Sequence, residues 1–164
     1  MKKKKKGSIK KQKVVKRLVT KAGLALKNEF YLEASWVLSS IIESKLRRIL
    51  TLITQEDPGP GFGLQKCLNR IKFLYLKGSQ PLLVKHFEMR LIDELRSWKS
   101  HRNSIYKDMI KIHVSARRIK KMTEEGIVLH QELTTVYKNF KKEIRQDLPE
   151  VTALPVRPDE QATP

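Results

Sequence analysis

Cysteine is nearly absent: Cys67 is the only one in 164 residues, which excludes an internal disulfide and a zinc site built from cysteines. No apolar run approaches the ~18–20 residues that a membrane-spanning helix needs. The charged N-terminus is not followed by an uninterrupted apolar stretch, so no secretory signal is expected. The chain has no Walker loop, dinucleotide fingerprint or serine nucleophile elbow. His86, His113 and His130 are scattered without metal-ligand spacing, so no metal and no cofactor is expected. These absences leave a cytoplasmic protein without a transmembrane segment as the expectation.

Acid is also scarce. Seventeen Asp and Glu face 35 Lys and Arg, a net charge of +18. Residues 1–21 carry eleven of the cations and no acid, and residues 22–146 carry 23 cations against 13 acids. The body is therefore basic without its arm, a field that favours RNA, DNA, an acidic protein or an anionic surface.

Proline, and glycine for the most part, fall at punctuation. The stretch EDPGPGFG (Glu56–Gly63) is a loop, Gly78-Ser79-Gln80-Pro81 is a turn, and four prolines from Pro149 onward mark an aperiodic tail. Between them the apolar residues keep helical spacing and show neither a strand signal nor a repeat. Helical spacing begins at Val14 and runs to about Lys27, with a break or bend at Asn28–Glu29. Tyr31, Ala34, Leu38, Ile42, Leu46, Ile49 and Ile53 form a second stripe, and Leu68, Ile71 and Leu74/Tyr75 a third over Leu64–Leu76. A long helix is expected from Pro81 to about Lys111. Another runs from about Ser115 to Arg145 along the seam Ile112, Ser115, Ile119, Met122, Gly126, Leu129, Leu133, Val136 and Phe140, with Gly126 allowing close approach. The expected architecture is all-α: an antiparallel bundle of about five helices over 14–146, a disordered basic arm over 1–13 and a disordered tail over 147–164.

One window stands out: Arg90–Met109, RLIDELRSWKSHRNSIYKDM. Leu91, Leu95, Trp98, Ile105 and Met109 repeat at helical spacing, and the stripe position between Trp98 and Ile105 is Arg102. An arginine on a buried line either has a partner for its charge or uses that charge in a cleft, because desolvating an unpaired guanidinium is expensive.

This window resembles the signature of the HEPN domains (higher eukaryotes and prokaryotes nucleotide-binding), in which an Arg, often followed by Asn, precedes a His by four to six residues. FYLEASWVLSSIIESKLRRIL (Phe30–Leu50) is similar to the family's second helix, and GFGLQKCLNRIKFL (Gly61–Leu74) to its short third helix. The resemblance implies a helical bundle, often dimeric. In active members the arginine holds the scissile phosphate and the histidine exchanges protons in metal-independent RNA cleavage. Arg102 and Asn103 match the signature, but the histidine position is Lys107. Histidine can accept and donate a proton near neutrality; lysine ordinarily stays protonated there and binds phosphate as a point charge. A literal match one register earlier joins Arg96 to His101, without the asparagine.

The resulting expectation is an RNA- or nucleotide-binding HEPN-like homodimer, non-catalytic or weakly active, in a toxin–antitoxin or phage-defence setting with a possible acidic protein partner. One alternative is a metal-independent endoribonuclease using Arg102 with Lys107 or His101; another is a structural helical adaptor. Tyr106, four residues after Arg102, is placed to bond a phosphate or stack a base, or to pack at the core edge. Arg117, Arg118, Lys120 and Lys121 are a candidate phosphate-tracking patch. Glu43, beside the second stripe, is a candidate partner that orients Arg102 from across the bundle. Trp98 is expected in the core, and Trp36 faces away from the Leu38/Ile42 line.

Overall fold

The helical stripes close into a bundle in the computed structural model, which describes residues 17–59 and 61–146. The expected arm, the start of the first helix and the tail lie outside the described residues. Six helices are described: α1 (17–27), α2 (Tyr31–Thr54), α3 (Leu64–Leu76), α4 (Pro81–His86), α5 (Met89–Lys111) and α6 (Ala116–Gln146). None is long and apolar enough to cross a membrane.

Local chemistry sets the boundaries. Asn28–Glu29 is a true break, with Glu29 at φ 61°. Gln55, also left-handed at φ 60°, ends α2, and the Asp57 carboxylate then accepts the Gly59 N–H at 3.1 Å to turn the loop. Pro81 opens α4 at a position where its missing N–H costs nothing.

The expected helix over Pro81–Lys111 is two helices. Phe87 and Glu88 are extended, and the break lets Phe87 turn fully into the core. Leu83 and Phe87 are four apart and continue into Leu91, so the spacing alone cannot register the interruption. His86 and Lys85 at the end of α4 both reach Glu143 on α6 and hold the corner.

Gln65 with Lys99, Asn69 with Arg96 and Lys72 with Asp93 show that α3 runs antiparallel to α5. Arg118 with Asp108, Trp98 with Met122 and Arg90 with Glu132 show the same for α5 and α6. In contrast, α2 and α6 run side by side in the same direction, Tyr31 meeting Thr123 and Lys45 meeting His130 and Thr134. The core between them is the expected stripes, Ile42, Leu46 and Ile49 from α2, Leu68 and Ile71 from α3, Leu91 and Leu95 from α5, and Met122, Leu133 and Phe140 from α6, joined by Ile92, which the α5 stripe did not include. Cys67 is buried here, and burial, reinforced by Glu43, pushes its thiol up to about 11, so it is no nucleophile near neutrality.

The α5–α6 seam is closest at Trp98 and Gly126. Trp98 is core, as expected, and its indole N–H donates to the Met122 carbonyl at 2.8 Å. The ring lies so close to Gly126 that any β-carbon there would sit 2.7–2.9 Å from three of its atoms. The close approach expected of Gly126 is therefore made to an aromatic ring.

Candidate anion-binding site

Arg102 sits where the stripe put it, between buried Trp98 and buried Ile105 on α5. Its guanidinium carbon lies 5.6 Å from the ring centre of Trp98 and 5.6 Å from that of Tyr106, a cation flanked by two π-faces. The side chain is half-buried. Among the described residues, Nη2 donates only to the adjacent Asn103 Oδ1, at 3.3 Å, and the buried Nε has no hydrogen-bond partner. No carboxylate among the described residues forms an ion pair with it. Burial pushes the pKa of Arg102 below the ordinary arginine value, against opposing pulls from Tyr106 and Glu43. An arginine remains charged under such conditions, so the protein holds a partly desolvated cation with unused donors.

Tyr106 is fixed from the other side. The buried Ser35 hydroxyl donates its one proton to the Leu32 carbonyl at 2.8 Å, so in its short contact with Tyr106 the phenol must be the donor. Burial raises the Tyr106 pKa, with Ser35 and Arg102 opposing. The phenol is thus neutral, its proton is committed, and its ring is presented to Arg102. Trp36 leans on the same ring from α2, centroids 5.9 Å apart.

The expected Glu43–Arg102 pair is not formed. Glu43 Oε2 accepts the Leu64 N–H at 3.0 Å and Oε1 lies 3.5 Å from Arg47 Nε, while Arg47 Nε also donates to the Phe62 carbonyl at 2.8 Å. The loop over 55–63 returns the start of α3 to the middle of α2, so the nearest unsatisfied donor is a helix N-terminus, which favours negative charge. Gly63, the residue before α3, offers no side-chain cap of its own. Glu43→Ala is accordingly expected to cost about 1–2 kcal/mol, in the range of a lost N-cap, read as a lowered urea midpoint; a midpoint equal to wild type would remove the capping role.

The remaining candidates divide into two groups. His101 turns toward α6, its Nδ1 3.5 Å from Glu125 Oε2, and lines a cavity of about 490 Å³ together with Glu94, Trp98, Glu125 and Leu129. Arg102 does not line that cavity, and its two carboxylates make it a poor seat for a phosphate. Lys107 is exposed and makes no bond to a described residue. Arg118 pairs with Asp108 at 3.2 Å, Lys120 lies 5.9 Å above the Tyr31 ring, and Arg117 and Lys121 are exposed. Through Tyr31, Ser35 and Asp108, these cations share with Tyr106 the end of the bundle where α2 begins, α5 ends and α6 begins.

A second buried cation was not anticipated. Lys45, 8% exposed, bonds His130 Nε2 at 2.8 Å and the Thr134 hydroxyl, with no carboxylate partner among the described residues. Burial, then Lys138 and Arg48, brings Lys45 down to about 8; burial, then Lys45, brings His130 down to about 4. Lys45 lies beside the stripe rather than on it, since Leu46 holds the line between Ile42 and Ile49, so the spacing gave no signal like that at Arg102. In the unfolded chain His130 titrates near 6.5, so between about pH 6.5 and 4 the unfolded state holds more protons than the folded one. Stability must then fall as pH drops through that window. His130→Gln, which retains an acceptor for Lys45, is expected to lose less stability than wild type between pH 7 and 4.5 in urea titrations; equal losses would contradict the assignment.

Comparison with protein-family models, with curated proteins and with solved structures gives no significant match. The class that the fold defines is an all-helical bundle, and the particular feature it carries is an arginine on the buried line of α5 that pairs with no carboxylate among the described residues.

Proposed function

We propose that this chain is an HEPN-like RNA- or nucleotide-binding protein that grips a phosphate with Arg102 and does not cleave. The observation that carries this reading is the half-buried guanidinium, held between Trp98 and Tyr106 with its Nε unsatisfied and no carboxylate partner among the described residues. A structural arginine at such a place would be neutralised by a neighbour, since an uncompensated buried charge costs several kcal/mol. A phosphate supplies that neutralisation from outside, in the planar paired geometry that guanidinium favours. Asn103 is the adjacent polar side chain, and Lys107, Arg117 and Lys121 add exposed positive charge around that end of the bundle.

Binding without cleavage is supported by what surrounds Arg102. Tyr106 has its proton engaged, His101 is turned to Glu125 on α6, and Lys107 projects into solvent. None of them is a titrating group in contact with Arg102 that would shuttle a proton near neutrality. The homodimer, the toxin–antitoxin or phage-defence setting and an acidic protein partner rest on the family resemblance and the basic charge.

The test is incubation of the purified protein with labelled total RNA and tRNA in EDTA. Intact RNA retained in a salt-sensitive complex is the expected result. Cleavage that disappears in Arg102→Ala would make the protein a ribonuclease instead, and neither retention nor cleavage would leave the adaptor reading.

A further inference from the structure

Beside Arg102 the surface carries a side chain that neither the core nor the phosphate contact accounts for. Trp36 is 67% exposed on the first turns of α2, away from the Leu38 and Ile42 line, and still lies against Tyr106 at 5.9 Å with the ring planes tilted by 43°. Tyr106 is held by Ser35 and carries Arg102 at 5.6 Å. Trp36, Tyr106 and the guanidinium thus form a short run of π-surface and charge, with one ring separating the indole from the cation.

We propose that Trp36 and Tyr106 are a base-stacking step, and that the ligand of this site is single-stranded RNA with an unpaired base on the indole and a phosphate of the same strand on Arg102. The proposal rests on the phosphate-binding reading of Arg102 and specifies the substrate class. Stacking on an exposed aromatic requires a base freed from its helix; in an A-form duplex the bases are stacked on one another and unavailable. Non-specific single-strand sites combine aromatic platforms with a positive track for the backbone, and here the track is Lys107, Arg117, Lys120 and Lys121 at the same end of the bundle. That charge also decides between a nucleotide and a second copy of the chain on Trp36. A two-fold contact through this surface would bring two basic ends together, with exposed Glu29 and Glu33 at the start of α2 outnumbered by Lys107, Arg117, Lys120 and Lys121.

The experiment measures dissociation constants by fluorescence anisotropy for three labelled probes: a single-stranded RNA ten-mer, the same ten-mer with abasic sugars, and an RNA duplex. Proteins compared are the full chain as wild type, Trp36→Ala, Trp36→Phe and Arg102→Ala, with sedimentation and thermal melts on each. Trp36→Ala is expected to weaken the single strand about ten-fold, the scale of one lost stacked base, and to leave the abasic strand and the duplex unchanged. Trp36→Phe is expected to recover most of the loss. In wild type the single strand quenches tryptophan emission, and in Trp36→Phe, where only buried Trp98 remains, it does not. An equal loss on the abasic strand, no loss at all, or a change of oligomeric state in Trp36→Ala would overturn the stacking step. Arg102→Ala separates the two ideas: if it weakens all three probes while Trp36→Ala weakens none, only the stacking step falls. If Arg102→Ala changes nothing, the phosphate reading falls and the stacking step with it.

Discussion

Gly126→Ala is expected to destabilise the bundle by about 2–3 kcal/mol, although alanine is the better helix former by about 1 kcal/mol. The new methyl would lie 2.7 Å from Trp98 Cζ2, 2.8 Å from Cε2 and 2.9 Å from Nε1. These are ring atoms of a 3%-exposed side chain that cannot swing aside. Retreat of the ring would also stretch the 2.8 Å bond from Nε1 to the Met122 carbonyl. Overpacking of this kind costs about 1–3 kcal/mol and the strained hydrogen bond adds about 1, so the steric terms outweigh the propensity gain. The control lies in α1, where a β-carbon on exposed Gly23 meets nothing within 4 Å. Gly23→Ala is expected to be neutral or stabilising by up to about 1 kcal/mol. Urea unfolding of both variants checks the pair, and two shifts of the same sign would refute the packing argument. Because Trp98 also flanks Arg102, Gly126→Ala should weaken RNA binding even below the unfolding transition.

Arg102→Met separates a functional arginine from a structural one more sharply than truncation to alanine. Methionine fills much of the same volume and removes the partly desolvated charge along with its orphaned Nε. A structural ion pair broken in this way would cost about 3–5 kcal/mol. Here no described carboxylate is left behind, and the lost contacts are the two cation–π faces, about 0.5–1 kcal/mol each at partly exposed sites. Removal of the desolvation burden offsets them, and stability is expected within about 1 kcal/mol of wild type. RNA affinity is expected to fall about ten- to a hundred-fold, since a hydrogen bond to a charged group contributes about 1.5–3 kcal/mol. The slope of log affinity against log salt should shrink by about one. Arg102→Lys should restore part of the salt slope but little of the affinity, because a point charge does not reproduce the planar fork. Anisotropy at several salt concentrations, with a melt on each variant, reads all three quantities. Severe destabilisation with unchanged affinity would return Arg102 to the scaffold.

Much of the bundle is written in local periodicity. The α2, α3 and α6 stripes give most of their buried residues because a helix has to hide one face, whereas Met109 near the end of α5 and Ile112 ahead of α6, both on expected lines, are exposed where the helices end. The break at Phe87 is different. Leu83, Phe87 and Leu91 are spaced as in one continuous helix, without proline or glycine, and the interruption is decided by how α4 and α5 pack on α3 and α6. Arg102 was legible for the same reason as the stripes, because a cation on a buried line has no local excuse. Its lack of a carboxylate was not legible, since that depends on where the loop over 55–63 delivers α3. The loop hands Glu43 a helix N-terminus and leaves Arg102 without it. Lys45 carried no such signal, because Leu46 beside it fills the line, and His130 lies 85 positions away along the chain, so only the parallel pairing of α2 with α6 brings them together. The outward position of Trp36 was readable from its place off the Leu38/Ile42 line; its contact with Tyr106 needed α5 to cross at Ser35.

The central claim is that Arg102 meets a phosphate that the protein itself does not provide. The arginine Nε–Hε resonances in ¹⁵N-labelled protein test it directly, titrated with uridine and then with uridine monophosphate. Arg96 has the other buried Nε without a partner among the described residues, and its Nη2 already bonds Asn69 on α3, so it serves as the internal reference. The account predicts that the Arg102 signal moves with the monophosphate, stays in place with the nucleoside, and moves while Arg96 does not. An Arg102 signal that ignores the phosphate, or one that moves no more than Arg96, would contradict it.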